Sequence, residues 1–419
     1  MRKVTVITGA RSEYGILRSL MKMLDNHKDI HLDILVTGMH LSPEFGETYR
    51  EITKDGFKIS AKIESLLSTN SKTGIAKSIS LGILGITEEL DRTKPDFTIV
   101  LGDRFEIFAG ALAAVHVNSI LVHISGGDVA SGVFDDYYRH MITKIAQIHF
   151  VSTKKSMERV LLMGANPNNV FLTGSLAYDE LLHGPSSSRE EITQVLGLQT
   201  SKKWCLAVYH PTIDEETSLK EFKNLIKALK STTKEYELQV VLLYPNADPG
   251  GRSLISQLQE EEQEDWVICD NLQRETYLGL LKESVFMIGN SSSGIVEAPA
   301  VNLPVINIGQ RQIGREKGGK IIDTSGEPIE LLNVIREIID NHHSVSDQKL
   351  EKKPYGDGHA APRILNTLLN LTKDRKAYSS EFHDNVALVL KLQKIKYVDF
   401  ASLNERAITA SDLLKSINN

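Results

Sequence analysis

The segment HISGGDVASGVFDDYYRH, residues 123–140, gathers His123, Asp128, Asp135, Asp136, Arg139 and His140 around glycines. Asp135 and Arg139 are spaced i,i+4, as are Asp136 and His140, so each pair shares a face if DDYYRHMITK begins a helix. Several carboxylates in one crevice, some with raised pKa, are what proton transfer at carbon requires. An acidic helix start with ordinary capping is the plain alternative. Against it stands the glycine-rich approach, which costs conformational order and so needs a reason. LGDRFE (101–106) sets Asp103 and Arg104 at the end of an apolar run. An aspartate there is costly unless it is paired or open to a crevice. Either Asp103 is a crevice carboxylate with Arg104 as a ligand contact, or the two form a salt bridge. The histidine spacings match no common zinc pattern, so no metal is expected.

Other loops suit anion binding. GNSSSGIVE (289–297) follows the apolar run Val285 to Ile288 and precedes Ile295 to Ala300, which can start a helix. A strand, a small-residue turn and a helix N-terminus offer unpaired N–H groups and partial positive charge. Ser291 and Ser292 add donors, Gly294 allows close backbone approach, and Glu297, expected in the first turn, can accept from sugar hydroxyls. A simple serine cap is the competing explanation. GQRQIGRE (309–316) offers Arg311 and Arg315 as a diphosphate clamp. GARSEYG (9–15) is not a dinucleotide fingerprint, but Arg11 can reach a phosphate or simply sit on the surface. His210 in YHPT and Asn246 in YPNADPG each end an apolar run and could bond a base, ribose or phosphate, although a lone histidine there is more often structural.

Short apolar runs alternating with longer amphipathic ones must position these loops, the pattern of parallel α/β folding. Six strands are expected in the first half, at 4–8, 32–37, 97–102, 119–124, 148–152 and 170–174. Six more are expected at 204–209, 238–244, 266–269, 285–290, 304–309 and 320–323. This predicts two Rossmann-like, doubly wound parallel-sheet domains facing each other. Ligand is expected at the carboxyl ends of the strands, in the crevice between domains. The linker composition of HGPSSSRE (183–190) divides residues 1–183 from 184–373. A helical tail, 374–419, is expected to pack back on the first domain.

At 419 residues, two domains are the prior. A 41% hydrophobic and 24% charged composition suits a globular protein. The net charge of −6 argues against nucleic-acid or membrane-surface partners. Cys205 and Cys269 make no disulfide framework, which suits a reducing, cytoplasmic setting. MRKVTVITGA reads as a first strand rather than a signal peptide.

Taken together and in order, GARSEYG, VTGMHLSPEFG (36–46), KPDFTIVLGDR (94–104), DDYYRHMITKIAQIHFVST (135–153), YPNAD, GNSSSGIVEAP and GQRQIGRE resemble the hydrolysing UDP-N-acetylglucosamine 2-epimerases of sialic- and legionaminic-acid synthesis. The resemblance implies a glycosyltransferase-B-like fold, a UDP-sugar substrate, no cofactor, and a homo-oligomer, dimer or tetramer. It implies elimination of UDP followed by hydration of a glycal, giving a free manno-configured sugar. Arg11, Arg104, His210, Asn246, Ser291, Ser292, Glu297 and Arg311 then fall on nucleotide-sugar contacts, and Asp103 and Asp135 on acid/base carboxylates beside Arg139. The chain departs from the family where HIEGGE is usual: it reads HISGGD, so Ser125 replaces a carboxylate and Asp128 is the candidate substitute. Gly15, Ile16, Tyr137 and Tyr138 also depart, all around the sugar. A glycosyltransferase of the same architecture, or a nucleotide-sugar-binding protein without turnover, are the other readings.

Overall fold

The apolar runs fold as two sheets in a computed structural model that describes residues 1–68, 71–130, 133–245, 250–259, 266–270, 272–340, 353–378, 381–395 and 398–415. In the first unit the strands are β1 (Arg2–Thr8), β2 (Ile30–Thr37), β3 (Ile59–Ile63), β4 (Phe97–Leu101), β5 (Ile120–Ile124), β6 (Ile148–Val151) and β7 (Val170–Leu172). The second carries β8 (Lys203–Val208), β9 (Leu238–Leu243), β10 (Trp266–Cys269), β11 (Phe286–Gly289), β12 (Val305–Ile308) and β13 (Ile321–Thr324). A short β14 (Ile408–Thr409) returns to the first sheet.

The first sheet runs β14-β7-β6-β5-β4-β1-β2-β3, the second β10-β9-β8-β11-β12-β13. Every pairing is parallel except β14 on β7. In both sheets the order reverses beside the first strand, between β1 and β4 and between β8 and β11. Those two points are where an open α/β sheet leaves a crevice for a ligand.

Two strands differ from expectation. β3, ISAKI, is partly exposed along its length and mixes Ser and Lys with Ile, so it lacks an apolar run. β14 is antiparallel and only two residues long. The unit boundaries also differ. The first unit comprises Met1–Asp128, Phe134–Glu180 and Pro354–Asn419, and the second Val129–Val133 and Leu181–Lys353. The second unit thus ends at Lys353 rather than 373, because the helix Ala360–Asn370 buries Ile364 and Leu368 in the core formed by Leu17, Leu20 and Leu24. Asp179 accepts the Ala360 and Ala361 N–H groups at that helix start (2.9 and 2.6 Å). The HGPSSSRE stretch lies at the head of the second unit, where Ser188 and Glu191 form a capping box on the helix Arg189–Leu196.

Candidate active site

In the first unit, β4 ends at Leu101, Gly102 follows at φ +80, and the turn delivers Asp103. Buried His123 fixes that turn by donating from Nε2 to the Gly102 carbonyl (2.8 Å). Burial holds its imidazole neutral, with a pKa lowered to about 4. β5 ends at Ile124 and is followed by Ser125, a non-glycine residue at φ +63. Gly127 follows, with a Cβ there blocked by the Ser156 carbonyl. Gly127 therefore serves close packing against the helix Lys154–Leu162, while Gly126 makes room for the His123 and Thr143 side chains.

Arg139, buried in the helix Phe134–Ile145, draws these ends together. Its Nη2 meets the Asp103 carboxylate, and its Nη1 donates to the Ser125 carbonyl (3.1 Å) and lies 4.0 Å from Asp128. Asp128 is buried and also accepts from the Ser156 hydroxyl. Asp103 stays one-fifth exposed, so it remains open to a ligand. The guanidinium thus joins the β4 and β5 loops, a partnership wider than the expected i,i+4 pair. Asp135 and Asp136 occupy the first turn of the same helix, partly exposed, and Asp136 lies 3.5 Å from His140. Tyr138 stacks on Phe108, and its hydroxyl pKa is raised by burial and by Asp135 and Glu106.

On the other side of the switch point, the loop after β1 is held from within. Glu13 accepts from the Gly9 and Ala10 N–H groups (2.7 and 3.2 Å). Burial, then the Glu106 charge, raise its carboxyl to about 8, while Arg104 opposes. Arg104 turns to Glu106 (3.3 Å) and Met39 rather than projecting freely from the loop. Arg11 bonds Glu51 (3.0 Å). Behind the loop, fully buried His40 bridges Thr8 and Thr48, and burial lowers its pKa to about 3.

The second unit repeats the switch point with different chemistry. Gly289, at φ +133, brings the end of β11 so close to β8 that a Cβ would strike the Val208 carbonyl. Asn290 then locks the two strand ends: it accepts the His210 N–H (2.7 Å) and donates to the His210 carbonyl (2.8 Å). Arg311 and Gln312 both donate to the Asn290 carbonyl (3.1 and 2.8 Å). Ser291 caps the helix Ser292–Val296, and both Ser291 and Ser292 are half-buried. Tyr277 donates to Ser293 (2.5 Å). Gly294 packs against Val305, where a Cβ would lie 2.9 Å from its methyl group, so its smallness is required by the sheet beneath.

Two expectations are corrected here. The helix begins at Ser292 and spans five residues, with a 3-10 segment Ala298–Val301 after it. Glu297 is therefore the C-cap rather than a first-turn residue, because Pro299 cannot continue the helix. Its buried carboxylate pairs with Arg274, a partner the sequence reading missed. Arg315 donates to the Val129 carbonyl (2.6 Å). Asn246 lies outside the described residues. Glu13, Glu106, Asn290, Gln312 and Tyr277 were also missed. Only the E of RSEYG and DRFE and the N of GNSSSG hinted at them, as carboxylates and an amide at strand ends. Among the described residues, no three His, Cys, Asp or Glu are placed to hold a metal, and no helix is long and apolar enough to cross a membrane.

The family model described as UDP-N-acetylglucosamine 2-epimerase matches residues 22–369. A UDP-N,N'-diacetylbacillosamine 2-epimerase (hydrolyzing) of Legionella pneumophila is 37% identical over 371 residues, 88% of this chain and 96% of its own. A GDP/UDP-N,N'-diacetylbacillosamine 2-epimerase (hydrolyzing) of Campylobacter jejuni is 38% identical over 327 residues, 77% of this chain and 84% of its own. Among solved structures, the UDP-GlcNAc 2-epimerase of Neisseria meningitidis bound to UDP-GlcNAc superposes with TM-score 0.74 at 20% identity, covering 88% of this chain and all of that one (100%). The S. aureus MnaA–UDP structure gives TM-score 0.73 at 23% identity, covering 89% and 98%. These likenesses make the paired doubly wound sheets a glycosyltransferase-B-like fold. With the family model spanning most of the chain and relatives above 30% identity matching 77% and 88% of it, the protein belongs to the UDP-N-acetylglucosamine 2-epimerase family and is an enzyme of its hydrolysing type.

Proposed function

We propose that the enzyme converts a UDP-linked 2-acetamido sugar, UDP-N-acetylglucosamine or a 2,4-diacetamido relative, to UDP and the free manno-configured sugar, for nonulosonic-acid synthesis. The names of the Legionella and Campylobacter relatives favour the diacetamido sugar. The observation that carries the reading is the grouping of Asp103, Asp128 and the Ser125 carbonyl around one buried guanidinium, Arg139. A proton leaving carbon needs a carboxylate held in place, and the Arg139 guanidinium orients Asp103.

In this reading a carboxylate, Asp103 or Asp135, takes the proton from C2. The C1–O bond breaks, UDP leaves with the electron pair, and a C1–C2 double bond forms. Water then adds its hydroxyl at C1, and a proton is returned to the opposite face of C2. Two acid/base groups are needed because the proton leaves from one face and arrives on the other. Asp128 stands in for the carboxylate that Ser125 lacks. In the second unit, Ser291, Ser292, Glu297, Arg311, His210 and Asn246 hold the nucleotide, with Arg11 and Arg104 of the first unit as further contacts. Arg311 has its guanidinium beside the Asn290 carbonyl at the strand end, where a diphosphate approaching the serine turn would meet it.

The test is an acceptor-free assay with UDP-N-acetylglucosamine and a UDP-2,4-diacetamido sugar. Equal release of UDP and free manno-configured sugar is expected. Transfer that requires an acceptor, or tight UDP binding without turnover, would contradict it.

A further inference from the structure

Glu106 is a carboxylate that the chemistry above does not use, and its side chain is wholly buried. Its carbons fill the space that side chains would need in two neighbouring loops. A Cβ at Gly9, after β1, would lie 2.8 Å from the Glu106 Cβ. A Cβ at Gly38, after β2 and at φ +58, would lie 2.5 Å from its Cγ. Its carboxylate meets Arg104, in the loop after β4, at 3.3 and 3.5 Å. Glu13 faces it from the helix after β1 while holding the Gly9 and Ala10 N–H groups. Tyr138, from the helix bearing Asp135 and Arg139, lies within its field.

Packing alone does not call for a charge there. A leucine or methionine would fill such a space without the desolvation that a buried carboxylate suffers. The carboxylate must therefore act on the groups it touches. Glu13 and Glu106 face the same Arg104 guanidinium, and burial with the Glu106 charge raises the Glu13 carboxyl to about 8 while Arg104 lowers it. His40, held neutral, and Arg11 flank the same loop. We propose that Glu106 is a positioning residue of the epimerase: it fixes the direction of the Arg104 guanidinium and the shape of the loop carrying Arg11. The inference rests on the reading that these arginines serve the nucleotide sugar.

Glu106→Gln keeps the shape and removes the charge, whereas Glu106→Ala removes both. A packing role predicts that only Glu106→Ala is impaired. The positioning role predicts that Glu106→Gln, folded by circular dichroism, also loses kcat, by about 10²-fold for a guanidinium misplaced by an ångström. Glu106→Gln turning over at the wild-type rate would overturn the proposal, even if Glu106→Ala fails to fold. A second readout needs no substrate. In protein 13C-labelled at glutamate Cδ, the Glu13 resonance should titrate near pH 8 and move down in Glu106→Gln as the like charge disappears. An unmoved resonance would also overturn it. A wild-type chain inactive on every nucleotide sugar would instead defeat the functional reading, leaving the titration to decide the cluster.

Discussion

The two units share a strand order and a switch point, yet the residues placed there differ in kind. At the β1/β4 point the first unit buries carboxylates, guanidinia and neutral histidines: Glu13, Glu106, Arg104, Arg139, His40 and His123. At the β8/β11 point the strand ends of the second unit carry an amide, hydroxyls, a glutamine and an arginine, Asn290, Ser291, Ser293, Gln312 and Arg311, with the Glu297–Arg274 ion pair at the far end of the short helix. Topology thus supplies a place for a ligand, while side chains decide what happens there. Clustered ionisable groups shift one another's pKa and suit proton transfer, whereas a mostly neutral polar cradle adds a guanidinium to backbone donors and suits anion binding.

The contrast breaks most readily at Asp103. Asp103→Asn keeps the volume but removes one of the two proposed acid/base carboxylates, so turnover should fall by about 10²- to 10⁴-fold. UDP affinity, measured by calorimetry, should stay at the wild-type value; equal loss of both would blur the division between units. Arg311→Ala should do the reverse. Losing hydrogen bonds to a charged group should weaken UDP binding by about 10- to 100-fold. An unchanged dissociation constant would remove Arg311 from the cradle.

Stability should separate the units as well. Glu13 has a folded pKa of about 8, above its ordinary 4.5, so its contribution is full in acid and is lost as pH rises through 8. The buried histidines His40, His123 and His149 have lowered values, so their contributions are already complete above their ordinary 6.5. Between pH 6.5 and 8, Glu13 therefore governs, and the first unit should lose about 1.4 kcal/mol of unfolding free energy per pH unit. Native-state hydrogen exchange on β4 and β5 should show this slope, β8 and β11 should not, and Glu13→Gln should flatten it. A slope equal in both units would contradict the assignment. The smallest effect expected is from Ser291→Ala. Loss of that cap should cost about 1 kcal/mol, read as faster exchange in Ser292–Val296 with β11 unaffected.

Much of the frame is legible in the sequence, because buried parallel strands are nearly continuous apolar runs. β3 escapes since an edge strand need not be apolar. Asp103 and Arg139 announce themselves as charges at a strand end and after a glycine-rich loop. Their mutual contact does not, for it joins residues on different elements. The same holds for Asn290 and His210, paired across adjacent strands that are far apart in the chain. Glu297 was misplaced because the proline that ends its helix lies after it. Gly294 was readable as a close approach and the glycines of 123–140 as a cost needing a reason, but whether they serve ligand or protein depends on packing no local pattern records.

The central claim is that the first unit removes and returns a proton at C2 while UDP departs. A proton NMR time course in deuterated water, with UDP-N-acetylglucosamine and a UDP-2,4-diacetamido sugar in turn, tests it most directly. The account predicts free manno-configured sugar carrying deuterium at C2, formed in step with UDP. Product with protium retained at C2, or UDP released with the gluco configuration kept, would contradict it.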